Sequence, residues 1–392
     1  MKKLVKTELA LPYILSRMSS RGIRVNMPEA LKQSSKCEEL IKEAEEFLSV
    51  YAGNQFVDSH KHIQQVFDNK GWAYKSSMKG NASFSKKVIT DYYNVDPEYI
   101  KNLMDHRRYS KLLNTYYKEI LHLAIHHSGC VHPSYQQNGA VTGRMSAWDP
   151  AIQTIPSTED VDEGLNVRRC FIPRHGYKLM AFDYSQQEYR LLLDYLNIPS
   201  LTGKMNRGGD FHEETADMLG VSRKLAKNVN FGLLYGAGNK TISSIAGVSE
   251  AEASNVRKRI AEVIPELPKF IRAVTHAARK KGYIKNWAGR VVRVPKDKPY
   301  KGINYLIQSG GADIVKRAMV VLDDYIKDKD IYMVCQIHDE LIFEVGEDIA
   351  HCDTADIIAR DMEKQYDTRY GVLMKVDAQM GDSFAKEDLK DI

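Results

Sequence analysis

The sequence predicts an α+β protein: an antiparallel sheet interrupted by a helical block and preceded by a helical arm. Three observations predict it. Two apolar, strand-like runs, Leu179–Phe182 and Tyr332–Val345, lie far apart in the chain. Residues 208–280 between them have helical spacing throughout. Upstream, two long amphipathic patterns flank the polar segment 71–85.

Taken in order, residues 28–51 read as a helix. Pro28 suits its first turn, Leu40, Ile41, Ala44, Phe47 and Leu48 share a face, and Gly53 stops it. A second helix fits 97–126 through Ile100, Leu103, Met104, Tyr109, Leu113, Tyr116, Tyr117, Ile120 and Ala124. GWAYKSSMKGNASFS (71–85) reads as an exposed polar tip, so the two helices make a projecting arm. From 129 to 185 Gly, Pro and short apolar runs signal strands and turns, and 303–327 is one further helix. Tyr332–Val345 is strand, tight turn, strand.

Composition excludes several classes. At 43% hydrophobic and 27% charged the chain is neither disordered nor membrane-embedded, and no apolar run reaches the ~18 residues a spanning helix needs. Five scattered cysteines (37, 130, 170, 335, 352) have no zinc-ligand spacing and read as free thiols, which with the absence of a signal-peptide pattern predicts a soluble, intracellular protein. The net charge of +5 is mild, but it is concentrated: nine Lys/Arg face Asp297 alone between Arg279 and Gly302. Such a stripe favours a polyanion.

The chemistry starts from two acidic strand ends. In QIHDELIFEV, Asp339 and Glu340 interrupt an apolar strand, where an unpaired buried carboxylate costs several kcal/mol, about the desolvation of one ion. In KLMAFDYSQQEYRLLLDYL, Asp183 closes an apolar strand. Singly, a turn residue and a helix N-cap would explain them. If the strands are neighbours, however, two converging carboxylates need a cation, and oxygen ligands with a substrate phosphate suit Mg²⁺. SRKLAKNVNFGLLYGAG (222–238) then places Arg223, Lys227, Phe231 and Tyr235 four residues apart. Each step overshoots a helical circle by roughly 40°, so the four share one face over roughly 18 Å. Two cations followed by two rings match a nucleotide's phosphates, sugar and base.

DYSQQEYR (183–190), RKLAKNVNFGLLYG (223–236) and QIHDE (336–340) resemble, in order and spacing, the three polymerase motifs of family A DNA polymerases, the bacterial DNA polymerase I type. TGRMSAWDPAIQTIP (142–156) is similar to the family's primer-template segment, GINYLIQSGGADIVKRAM (302–319) to the helix before the last motif, and HRRYSKLLNTYYKEI (106–120) to the end of the thumb. Three departures stand out: Ala151 and Thr154 replace the asparagines of P-N-L-Q-N, Gln187 and Tyr189 replace apolar residues of the first motif, and YGAG (235–238) leans towards phage members.

The resemblance implies a right-hand fold: an N-terminal palm-associated segment at 1–29, thumb at 30–127, palm at 128–188 and 303–392, and fingers at 189–302. It implies primer extension with dNTPs by two-metal nucleotidyl transfer, with Asp183, Asp339 and the Tyr184 carbonyl holding two Mg²⁺ and Glu340 supporting them. Arg223, Lys227 and His212 would meet the triphosphate, with Lys227 the proton donor to pyrophosphate. Gln186, Phe231 and Tyr235 would line the nucleotide site, and Glu188 would exclude a 2′-hydroxyl. Arg144, Gln153, Asn304, Gln308, His338 and Arg290 would contact primer-template DNA. Residues 1–125 offer no strand-borne Asp-x-Glu, so no 3′–5′ exonuclease is expected in this chain. A separate exonuclease or a processivity protein would then be a partner of a monomer acting in the cytoplasm. A single-subunit RNA polymerase and a catalytically inactive DNA-binding relative are the alternative readings.

Overall fold

Tyr177–Tyr184 is the central strand of a five-stranded antiparallel sheet, in the order Leu389–Asp391, Val376–Gly381, Tyr177–Tyr184, Glu340–Gly346, Ile331–Ile337. The computed structural model describes residues 2–74, 76, 82–156 and 164–392. Successive side chains of a strand point to opposite faces. Here both faces are covered: Met180 and Phe182 enter one core, Leu179 and Ala181 another. That two-sided burial explains a run that is continuously apolar rather than alternating. The first core lies between the sheet, the Lys2–Arg21 and Gly302–Ile326 helices and the helical block. The second takes in the base of the arm through Tyr109, Leu112, Tyr116 and Ile120.

The chain leaves the sheet after Tyr184, runs through seven described helices from Gln187 to Lys281 and a short hairpin (Tyr283–Lys285 with Val291–Arg293), and returns by the Gly302–Ile326 helix. The sheet is therefore interrupted as the sequence predicts. The returning helix is buried on nearly every side. Its Gly311 has a packing reason: a Cβ there would stand 2.3 Å from Gln187 Oε1.

In the arm, Met27–Ala52 ends at Gly53, whose φ of 68° is the left-handed cap that favours glycine. The second helix runs from Pro97 to His126, but Leu112–Tyr117 is π-helical, a local widening that periodicity does not show. The polar tip expected at 71–85 needs correction. Residues 75 and 77–81 lie outside the described residues, but Phe84 is fully buried, its ring 4.9 Å from that of Phe67. With Ile63, Tyr92 and Tyr99 it forms a third, aromatic-rich core at the arm's outer end. Its rings are irregularly spaced in sequence, so no period announces it. Among the described residues no helix is long and apolar enough to cross a membrane, and the cysteines are free thiols.

Candidate active site

Antiparallel register brings the acids together. Glu340 and Asp377 are the direct cross-strand partners of Asp183, so three acidic side chains stand abreast on one face. The Ile331–Ile337 and Glu340–Gly346 strands are joined by the two residues His338 and Asp339, with His338 in the left-handed region at φ 56°. This turn folds Asp339 over the end of the central strand, where its carbonyl accepts the Tyr184 N–H at 3.4 Å. Like charges directly opposite each other on a sheet are destabilising. Burial in the cleft, with Asp339 and Glu340 close by, pushes the Asp183 carboxyl well above the usual carboxylate range. Asp183 keeps a path to solvent; protein crowding its other sides supplies the desolvation. Asp339 and Glu340 are also pushed up, chiefly by burial.

The acids share a cleft of about 270 Å³ with Arg168, His338, Gln379 and Lys386. Arg168 lies 3.7 Å from Glu340, and Lys386 lowers both Asp183 and Glu340, yet neither cation offsets the crowding. An all-oxygen donor set with raised carboxyl pKa values fits hard divalent cations. Among the described residues no group of three or more His, Cys, Asp or Glu side chains is placed to hold an ion by itself. Arg168, Asp377 and Lys386 went unread in the sequence. Asp377 is found only through strand register, and Arg168 lies in a short 3₁₀ turn without a motif.

The cationic helix spans Arg223–Leu234, capped by Ser222, whose hydroxyl accepts the Leu225 N–H. Tyr235 sits just past its last turn, and its ring stacks on Phe231 with centroids 6.1 Å apart. Arg223 donates to Asp210 at 2.7 Å; Lys227 is exposed and has no ion-pair partner among the described residues. His212 was expected on phosphate but is buried, packed edge-on against Tyr189 at 4.5 Å. With Asn230 Nδ2 donating at 3.2 Å, its Nδ1 accepts and Nε2 carries the proton. Burial lowers its pKa to about 4, so the ring is neutral at neutral pH and offers one N–H. Gln186, left-handed at φ 51°, accepts the Phe211 N–H at 2.9 Å and so docks the His212 helix on the strand end.

Glu188 accepts from Arg144 at 2.6 Å, and burial outweighs that ion pair in raising its pKa. Arg144, Gln153, His338 and Asp339 line one narrow cavity, and Gln153 is held there by the Gln336 side chain at 2.6 Å. Gln308 interacts with Tyr235. Two expected DNA contacts sit differently. Asn304 is buried, its amide nitrogen unpartnered in the structure. Arg290 is spent internally: its guanidinium donates to Glu8, Asn138 and both carboxylate oxygens of Asp313. A residue read from a basic stripe thus proves to be part of a buried ion network, because sequence shows charge but not its partner.

The sequence profile of DNA polymerase family A matches residues 27–386. DNA polymerase I of Rhizobium leguminosarum is 31% identical over 366 residues, covering 87% of this chain and 36% of its own length. Thermostable DNA polymerase I of Thermus thermophilus is 29% identical over 402 aligned residues, 97% of this chain and 48% of its own length. The chain therefore spans less than half the length of these relatives. The POL domain of Pol1 from M. smegmatis, in complex with DNA primer-template and dNTP, has a TM-score of 0.88 at 26% identity, covering 96% of this chain and 70% of that one. A profile match over most of the chain and a shared α+β polymerase fold place the chain in DNA polymerase family A.

Proposed function

We propose that the chain catalyses template-directed DNA synthesis, extending a primer 3′ end with dNTPs and releasing pyrophosphate. The observation that carries this reading is the meeting of Asp183 and Asp339 in one cleft at the end of the central strand, and the Arg223–Leu234 helix adds the exposed cations Arg223 and Lys227. We assign the thumb to 30–127, the palm to 128–188 and 303–392, the fingers to 189–302, and 1–29 to a palm-associated segment.

Asp183, Asp339 and the Tyr184 carbonyl would hold two Mg²⁺, which when bound favour the ionised primer hydroxyl and neutralise the leaving phosphates. The chain's own groups do the rest. The 3′-oxygen attacks the α-phosphorus, the bond to the β-phosphate oxygen breaks, and Lys227 Nζ protonates the departing pyrophosphate. Arg223 exchanges Asp210 for the triphosphate, and the neutral His212 donates from Nε2. Gln186, Phe231 and Tyr235 shape the nucleotide site. Glu188 closes the space a 2′-hydroxyl would need, which favours DNA over RNA synthesis. Arg144, Gln153, Gln308 and His338 meet primer-template DNA, where minor-groove acceptors allow pair geometry to be checked without reading sequence.

Primer extension with Mg²⁺ tests the reading. Wild-type protein is expected to extend with dNTPs and to discriminate against rNTPs, and Asp339→Asn to lose about 10³-fold in kcat. Undiminished extension by Asp339→Asn would remove the metal assignment, and efficient rNTP use would favour an RNA polymerase. In the same assay a mismatched 3′ end is expected to persist; its excision by Asp183→Ala protein would reveal a separate nuclease centre in this chain.

A further inference from the structure

The polymerase reading uses neither the N-terminal helix Lys2–Arg21 nor the buried charges beneath it. Lys316 is completely buried and Asp313 nearly so, yet both are ionisable groups in the middle of the returning helix. Glu8, on the N-terminal helix, reaches them. Its carboxylate accepts from four side chains: Lys316 at 2.9 Å, Asn138 at 3.1 Å, Gln137 and Arg290. Asn138 Oδ1 in turn accepts from Lys316 at 2.9 Å and Arg290 at 3.3 Å. Two acids, Glu8 and Asp313, thus balance two cations, Arg290 and Lys316. Although burial works against it, the bonds from Arg290 and Lys316 hold the Glu8 carboxyl down at about 2.

Networks of this kind contribute little net stability, since well-packed apolar groups serve as well. What this one provides is geometry. It ties the N-terminal helix, the returning helix and the 286–290 turn to the loop 137–145, which joins Ser134–Gln136 to Ser146–Trp148. That loop carries Arg144. Within it Ala140 N–H donates to the Arg144 carbonyl at 3.1 Å and Gly143 N–H to the Ala140 carbonyl at 2.9 Å. Gly143, at φ 82°, lies on the Arg290 guanidinium, where a Cβ would be 3.0 Å from Nε. A continuous path therefore runs from Glu8 through Arg290 to the peptide preceding Arg144, and from Arg144 to Glu188.

We propose that Glu8 is a positioning residue for Arg144, and through it for the Glu188 carboxylate, by fixing the 137–144 loop with Arg290, Lys316 and Asn138. This rests on the polymerase reading, in which Glu188 restricts the sugar. Glu8 touches no substrate, so its loss acts on discrimination rather than on the chemical step.

The test is single-nucleotide primer extension, reading the dNTP-to-rNTP ratio of kcat/KM for wild type, Glu8→Gln, Arg144→Ala and the double variant. Glu8→Gln is expected to lower the ratio about 10-fold, and to add nothing in the Arg144→Ala background, because both act on one path. Hydrogen exchange at the Ala140 and Gly143 amides is expected to speed up in Glu8→Gln protein. Asn138→Ala, an exposed site, is expected to shift the ratio the same way by a smaller factor and serves if Glu8→Gln does not fold. An unchanged ratio in a folded Glu8→Gln or Asn138→Ala protein, or effects that multiply with Arg144→Ala, would overturn the role of Glu8. Absence of any extension by wild-type protein would overturn the polymerase reading itself and this proposal with it.

Discussion

Glu188 shows what one side chain is asked to do. It is a half-buried acid that feels the charge of Asp339, with Arg144 opposing its desolvation. Glu188→Ala should raise rNTP use by about 10²-fold while dNTP extension changes much less, as competing single-nucleotide assays would show; unchanged rNTP exclusion would remove it from the sugar gate. His212 makes a prediction about pH. Its folded pKa of about 4 lies below the usual 6.5, so the unfolded chain binds more protons between these values. Its contribution is complete above pH 6.5 and is lost as pH falls towards 4, a loss of about 3 kcal/mol. Thermal melts from pH 7 to pH 4 should therefore slope downward in wild type and less steeply in His212→Asn. The identity of both residues was legible in their motifs. The burial that neutralises His212 was not, because it depends on Tyr189 and Asn230 from two other segments.

At the scale of an element, the Arg223–Leu234 helix presents its cations before any substrate arrives. Arg223 is partly occupied by Asp210, which also caps the Phe211–Leu219 helix by accepting the Glu213 N–H at 2.8 Å. Asp210→Asn retains a cap but frees the guanidinium. An exposed ion pair is worth ~0–1 kcal/mol, so KM for dNTP should fall by no more than about 5-fold with kcat unchanged, measurable in steady state. A rise in KM would show that Asp210 orients Arg223 instead of competing with phosphate. This helix was readable because Arg223, Lys227, Phe231 and Tyr235 recur every fourth residue; its Ser222 cap is a finding of the structure. The third core around Phe67 and Phe84 was not, since its rings come from irregularly spaced positions.

For the whole molecule, charge distribution matters more than the total of +5. Binding to primer-template should be driven by phosphate contacts and weaken steeply with salt, with a log–log slope steeper than about −3 in equilibrium titrations. A flat response would contradict the basic surface stripe. Arg290 is subtracted from that surface because its charge is consumed internally, whereas Arg279, Lys280 and Lys281 remain exposed at the end of their helix.

By itself the sequence determined what is local: helix starts and stops, the apolar strands, the cations every fourth residue, and two strands each ending in an acid. These follow from backbone geometry and side-chain period, which act over a few residues. Only the tertiary structure decided which charges meet. Strand register set Glu340 and Asp377 beside Asp183, a two-residue turn brought Asp339 over the strand end, and packing of three distant segments buried Arg290 against Glu8 and Asp313. The reason is physical: an ionised group's behaviour depends on its desolvation and on the charges within a few ångströms, and chain order specifies neither.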